Sequence, residues 1–178
     1  MASWEYTPTF RGFSSHFGFY NGATNYYSHC HPEQRSDGPL DLHRSSAPNT
    51  PAAPITNLNG SATQNVSDYG PFVFARETNR VIGAHVAATT AGKGAGGAVS
   101  PMFLYLTHQS VHEPLQAPEA YIDRCSATVP AKFEERRTFC GMVAALDDAI
   151  YEVTSHLAAL QLWADTLFVF QAGESVAH

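Results

Sequence analysis

Steps of three and four separate Phe139, Met142, Val143, Leu146, Ile150, Val153, Leu157 and Leu160. That spacing lays one apolar stripe along a helix. Asp147, Asp148 and Glu152 then fall on its flank or wet side, and Lys132, Glu134, Glu135, Arg136 and Arg137 form its solvated first turns. A second amphipathic helix is predicted over 69–85, after Pro71, with apolar positions Phe72, Val73, Ala75, Val81 and Ile82; proline fits a helix start. Two short unbroken apolar runs, 102–106 and 167–170, read as strands buried on both faces, as inside parallel sheets. Strand, long helix, strand is a βαβ unit, so the two strands should be parallel and joined by a right-handed crossover. The pattern therefore predicts an α/β fold: a parallel or mixed sheet flanked by helices, with long irregular loops.

Polarity rises abruptly after Leu106 at Thr107, His108, Gln109 and Ser110, and Pro114 and Pro118 stop the strand. His112 is thereby expected just past the carboxyl end of a buried strand, on the same sheet edge as the residues after Phe170. In open α/β sheets ligands bind at that edge.

Elsewhere the pattern is weaker. Residues 7–31 are rich in Gly, Tyr and Phe and read as compact irregular structure with one short helix near 13–17. Residues 32–68, rich in Ser, Pro, Asn and Thr, read as a long flexible loop, and 89–100 as an Ala/Gly linker. The glycines at 92–97 lack the G-x-x-x-x-G-K-[ST] order of a phosphate loop. His29 and His31 point to one face of an extended chain, but the sequence nominates no third or fourth metal ligand.

The 178 residues suffice for one domain with a real core. A net charge of -6 without a basic stripe argues against nucleic-acid binding. No apolar run approaches the ~20 residues that span a bilayer. The N-terminal residues show no basic-then-apolar secretory signal. Three cysteines, Cys30, Cys125 and Cys140, cannot all pair with one another, and their spacing matches no zinc pattern. Asn59 and Asn65 each open an N-x-Ser/Thr triplet.

Three blocks carry a family resemblance. Phe103-Leu-Tyr-Leu-Thr-His-Gln-Ser-Val-His-Glu-Pro-Leu-Gln-Ala-Pro118 closely resembles a segment of the sulfatases, in their arylsulfatase B-like branch. Pro8-Thr-Phe-Arg-Gly-Phe-Ser-Ser-His-Phe-Gly-Phe-Tyr20 with Asn25-Tyr-Tyr-Ser-His29, and Cys140 through Phe170, recur in the same order. The resemblance implies a partial sulfatase N-terminal domain over 1–178, of alkaline-phosphatase-like fold. It implies a sulfuric ester, small or on a glycan, as partner, and a lysosomal or secreted setting. Family chemistry uses a formylglycine made from the Cys of C-x-P-S-R, a calcium ion held by Asp and Asn oxygens, and Lys and His groups on the ester.

Only one of these parts carries over. His112 matches the family's active-site histidine in Gln-Ser-Val-His-Glu-Pro, where it contacts the sulfate or protonates the leaving group. None of the three cysteines opens a C-x-P-S-R motif. Gly173 and Glu174 stand where the metal-binding Asp and Asn belong, so the calcium ligands are missing. The expectation is a truncated, inactive relative of a sulfuric ester hydrolase. The alternative is a non-catalytic product that binds a partner protein or a sulfated glycan.

Overall fold

A computed structural model describes residues 3–30, 40–55, 66–91 and 100–173. Its secondary structure is mixed α/β. Strands β1 (His16–Gly18), β2 (His43–Ser45) and β3 (Ala53–Pro54) form an antiparallel sheet in that order. Phe17 lies opposite Arg44, and Arg44 opposite Ala53. The helices are α1 (Gly70–Thr90), α2 (Glu119–Arg124) and α3 (Glu134–Ala159).

α1 is the middle layer. Its Ala75 and Ile82 pack on Ala149, Val153 and Leu157 of α3. Its Val73 and Phe74 turn the other way, onto Leu42, Phe17 and Phe19 on the sheet side. The helix runs five residues past the predicted end at 85. Alanines favour helix, and the hydroxyls of Thr89 and Thr90 bond back to the carbonyls of His85 and Val86, at 2.8 and 2.7 Å.

α3 forms where its period predicts, including the charged first turns, but its buried line is shifted. Gly141, Met142, Ala145, Ala149, Val153 and Leu157 are buried, while Phe139 and Val143 are exposed. Small residues occupy the centre because neighbouring backbone comes close. A Cβ on Gly141 would stand 3.0 Å from the Ile122 nitrogen and 3.2 Å from Ile122 Cα, both backbone atoms of α2. Cys125 and Cys140 are joined by a disulfide across the same contact. A bridge closing a loop of this size stabilises by about 3 kcal/mol. Asp148, expected on the wet side, accepts from Tyr121 Oη (2.8 Å) and Arg124 Nη1 (2.7 Å) and so also ties α3 to α2.

The two apolar runs depart from expectation. Neither 102–106 nor 167–170 joins a ladder, and the sheet is built from other residues. Leu104 and Leu106 pack inward against the helices, but Phe103 and Tyr105 are 79% and 71% exposed and Leu167 is 90% exposed. An extended chain presents alternate residues to opposite faces. Here one face of 102–106 is covered and the other is bare, so the doubly buried parallel pair, and its shared edge, is not formed.

The N-terminal region also differs. The short helix expected near 13–17 is replaced by 3₁₀ turns at Trp4–Tyr6 and Pro8–Phe10, with extended β1 beginning at His16. The break falls at Gly12, whose φ of 97° a helix does not tolerate. Within the stretch read as a loop over 32–68, residues 40–55 carry β2 and β3 and bury Asp41 and Leu42. Residues 32–39 and 56–65, with Asn59 and Asn65, and the glycines at 92–97 lie outside the described residues.

Gly141→Ala forces a methyl into the α2 backbone. The expected cost is about 1–3 kcal/mol of overpacking, read as a lowered urea midpoint with unchanged slope.

Candidate functional site

The segment from Thr107 to Pro118 is held from beneath by two buried tyrosines. The rings of Tyr26 and Tyr69 stack with centroids 5.2 Å apart, and neither is exposed to solvent. Tyr26 Oη donates to the His112 carbonyl and Tyr69 Oη to the Gln116 carbonyl, each at 2.8 Å. Gln116 Oε1 accepts from the Tyr26 amide at 2.9 Å, and Gln109 Nε2 donates to the Thr24 carbonyl. Burial raises the Tyr26 hydroxyl to about 12 and raises that of Tyr69 further, so both stay protonated and able to donate.

On this base the chain turns tightly. The His112 amide donates to the Gln109 carbonyl at 3.0 Å. The Ser110–Val111 and Glu113–Pro114 peptides on either side are cis. The His112 residue is exposed, and its Nδ1 lies 3.0 Å from the Glu113 carbonyl. A carbonyl only accepts, so Nδ1 carries the proton. Nε2 is left without a protein partner among the described residues.

His112 lines a cavity of about 270 Å³ with Phe19, Gly22, Ala23, Thr107, His108 and Gln109. The opposite wall, residues 19–23, is fixed by a buried carboxylate. Asp41 accepts from the amides of Tyr20 (3.2 Å) and Asn21 (2.9 Å) and from Asn21 Nδ2 (2.7 Å). His108 is the second imidazole of the cavity. Both its ring nitrogens are buried without a partner among the described residues. Burial lowers its pKa to about 4, so the ring is neutral at pH 7. The cavity thus offers one exposed imidazole whose Nε2 is unengaged among the described residues, beside a second that burial holds uncharged.

Phe170 is not part of this cavity, Gly173 is exposed, and Glu174 lies outside the described residues. His29 is buried and its Nε2 meets the Asp68 carbonyl at 2.9 Å, a structural bond rather than a metal contact. Among the described residues no group of three His, Cys, Asp or Glu is placed to hold a metal ion. The residues described do not fit the calcium of the resemblance.

Asp41 and His108 are the site residues that sequence reasoning passed over. Asp41 stands in a stretch of loop-like composition. His108 sits four residues before His112, a spacing with no meaning in an extended run, and only the turn at 109–112 brings it to the same cavity.

The fold recurs in solved structures. The solved structure of Ps i-CgsB, and the same protein in complex with k-i-k-neocarrahexaose, each align with a TM-score of 0.61 at 21% identity, covering 89% of this chain and 31% of theirs. In sequence, the chain is 24% identical to arylsulfatase J of Mus musculus over 165 residues. The chain is thus similar in sequence to an arylsulfatase and in fold to Ps i-CgsB. The match covers 93% of this chain but 23% of arylsulfatase J, so the chain spans about a quarter of that relative's length. No protein-family model matches.

The buried His108 sets a pH dependence. The unfolded ring binds a proton near 6.5, the folded ring near 4. Between those values the unfolded state holds more protons, so stability falls as pH drops from 6.5 towards 4, by up to about 3 kcal/mol from this group. His108→Leu is expected to flatten that fall, measured as urea midpoints at pH 7, 5.5 and 4.5; an unchanged slope would show the ring is not buried uncharged.

Proposed function

We propose that this polypeptide is a sulfuric-ester-hydrolase relative whose His112 pocket contacts a sulfate ester, and that it does not turn the ester over alone. The observation that carries the reading is the exposed His112 ring. Its backbone is anchored by Tyr26, its Nδ1 is committed to Glu113, and its Nε2 has no protein partner among the described residues. When protonated, Nε2–H donates to an ester oxygen, the contact from which a leaving group is protonated. The saccharide bound by Ps i-CgsB supports a sugar-borne ester as the ligand class.

Inactivity follows from what the cleavage step needs. Attack on sulfur requires a nucleophile, and interdependent catalytic groups leave little rate when one is lost. The Cys30-His-Pro-Glu-Gln stretch shares only the first and third positions of C-x-P-S-R. Residence follows the family, lysosomal or secreted, and the Cys125–Cys140 bridge supports an oxidising compartment. A second reading, a non-catalytic product seated on a partner polypeptide, is favoured by the bare aromatic face of 102–106 and 167–170.

The test uses an aryl sulfate with calcium. No turnover above buffer is expected. The ring resonances of His112 should shift saturably with ester concentration, and His112→Ala should weaken ester binding about tenfold, the loss of one charge-assisted contact. Turnover that disappears in His112→Ala would overturn the inactivity, and an unmoved His112 would overturn the pocket.

A further inference from the structure

A second cavity, on the sheet side of α1, shares no lining residue with the His112 pocket. It measures about 260 Å³ and is lined by Phe17, Ile55, Val73, Arg44, Arg76, Glu77 and Arg80. Three guanidinium groups and one carboxylate give this small volume a charge of +2, within a chain whose net charge is -6. The arginines are not interchangeable surface charges. Glu77, with a side chain 11% exposed, takes Arg44 through both its oxygens and Arg80 through both as well. Arg44 also lies over the Phe17 ring, 4.8 Å from its centroid. Arg76 is tied to the Ser67 carbonyl.

The donor count leaves this constellation unsaturated. A guanidinium has five N–H groups in a fixed fork. Arg44 and Arg80 each spend two on Glu77, and Arg76 spends one on Ser67. Toward the described residues each keeps at least three, and the carboxylate that orients two of the forks neutralises only one of three charges. Planar forks with spare donors match an oxyanion bidentately. The apolar residues Phe17, Ile55 and Val73 add a surface for a small ring. The volume lies below the ~300–1,000 Å³ of drug-sized pockets, so it suits one ring with one charged group.

We propose that this cavity is a second binding site that takes an ester oxyanion, sulfate or phosphate, carried on one small ring, for which a hexose ester is the probe. Arg76 and Arg80, both exposed, make the outer contact; Arg44, 34% exposed, makes the inner one and is held in place by Glu77 and Phe17. The site is independent of the His112 reading, since the two cavities lie on different elements.

The experiment follows arginine Nε–Hε resonances of the labelled 178-residue chain titrated with glucose 6-sulfate, glucose 6-phosphate and glucose. Arg44, Arg76 and Arg80 should shift saturably with the two esters and not with glucose, while Arg124, Arg136 and Arg137 stay still. The tighter of the two esters identifies the source of the oxyanion. R76Q/R80Q should weaken ester binding tenfold or more, and His112→Ala should leave it unchanged. Equal response to glucose, or uniform movement of all arginines, would overturn the site using the unmodified chain alone. Unchanged affinity in a folded R76Q/R80Q would overturn it as well.

Discussion

Two phenol hydroxyls hold the chain's most distinctive segment in place. Those of Tyr26 and Tyr69 reach the carbonyls of His112 and Gln116 across gaps of 86 and 47 residues. A carbonyl shielded from water without a donor costs up to about 1–3 kcal/mol, and both of these lie outside helix and ladder. The tyrosines supply the donors and the apolar mass together. Their rings belong to the cluster with Ala117, Met142 and Ala145 that seats α3. Helix packing and the presentation of the histidine are therefore one construction, and the geometry of the exposed ring depends on the core beneath it.

How far the fold could be read from the residues depended on whether a pattern was local. α3 declared itself because a 3.6-residue period over seven turns is a dense signal. Its exact buried face did not, since the close approach of α2 selects Gly141, Ala145 and Ala149 over the larger Phe139 and Val143. The runs 102–106 and 167–170 carry the hydrophobicity of doubly covered strands, yet among the described residues Phe103, Tyr105 and Leu167 stay exposed. The polar network was least readable. Asp41 with residues 20 and 21, and Arg44 with Glu77, are joined by tertiary contact alone. His112 was located through the wording of its segment, whereas its neighbour His108 emerged only when the turn closed.

Average charge does not describe local arrangement, for the same reason. A net of -6 speaks against anionic partners only if charge is spread evenly. Here Glu77 gathers Arg44 and Arg80 against an aromatic ring. The cluster concentrates positive charge in a way that the whole-chain sum conceals. The bare side of residues 103 and 105 makes a comparable point about hydrophobicity. A run rich in aromatic and aliphatic residues is half bare, and exposed apolar surface of this kind marks interaction sites.

The bond between Cys125 and Cys140 links neighbouring elements only fifteen positions apart. Because its partners lie close along the chain, it can close early in biogenesis, before distant segments meet. A ribosome product kept in a glutathione-rich cytosol would lack this staple. Material made there and material passed through an oxidising organelle would then be two differently cross-linked molecules with one primary structure.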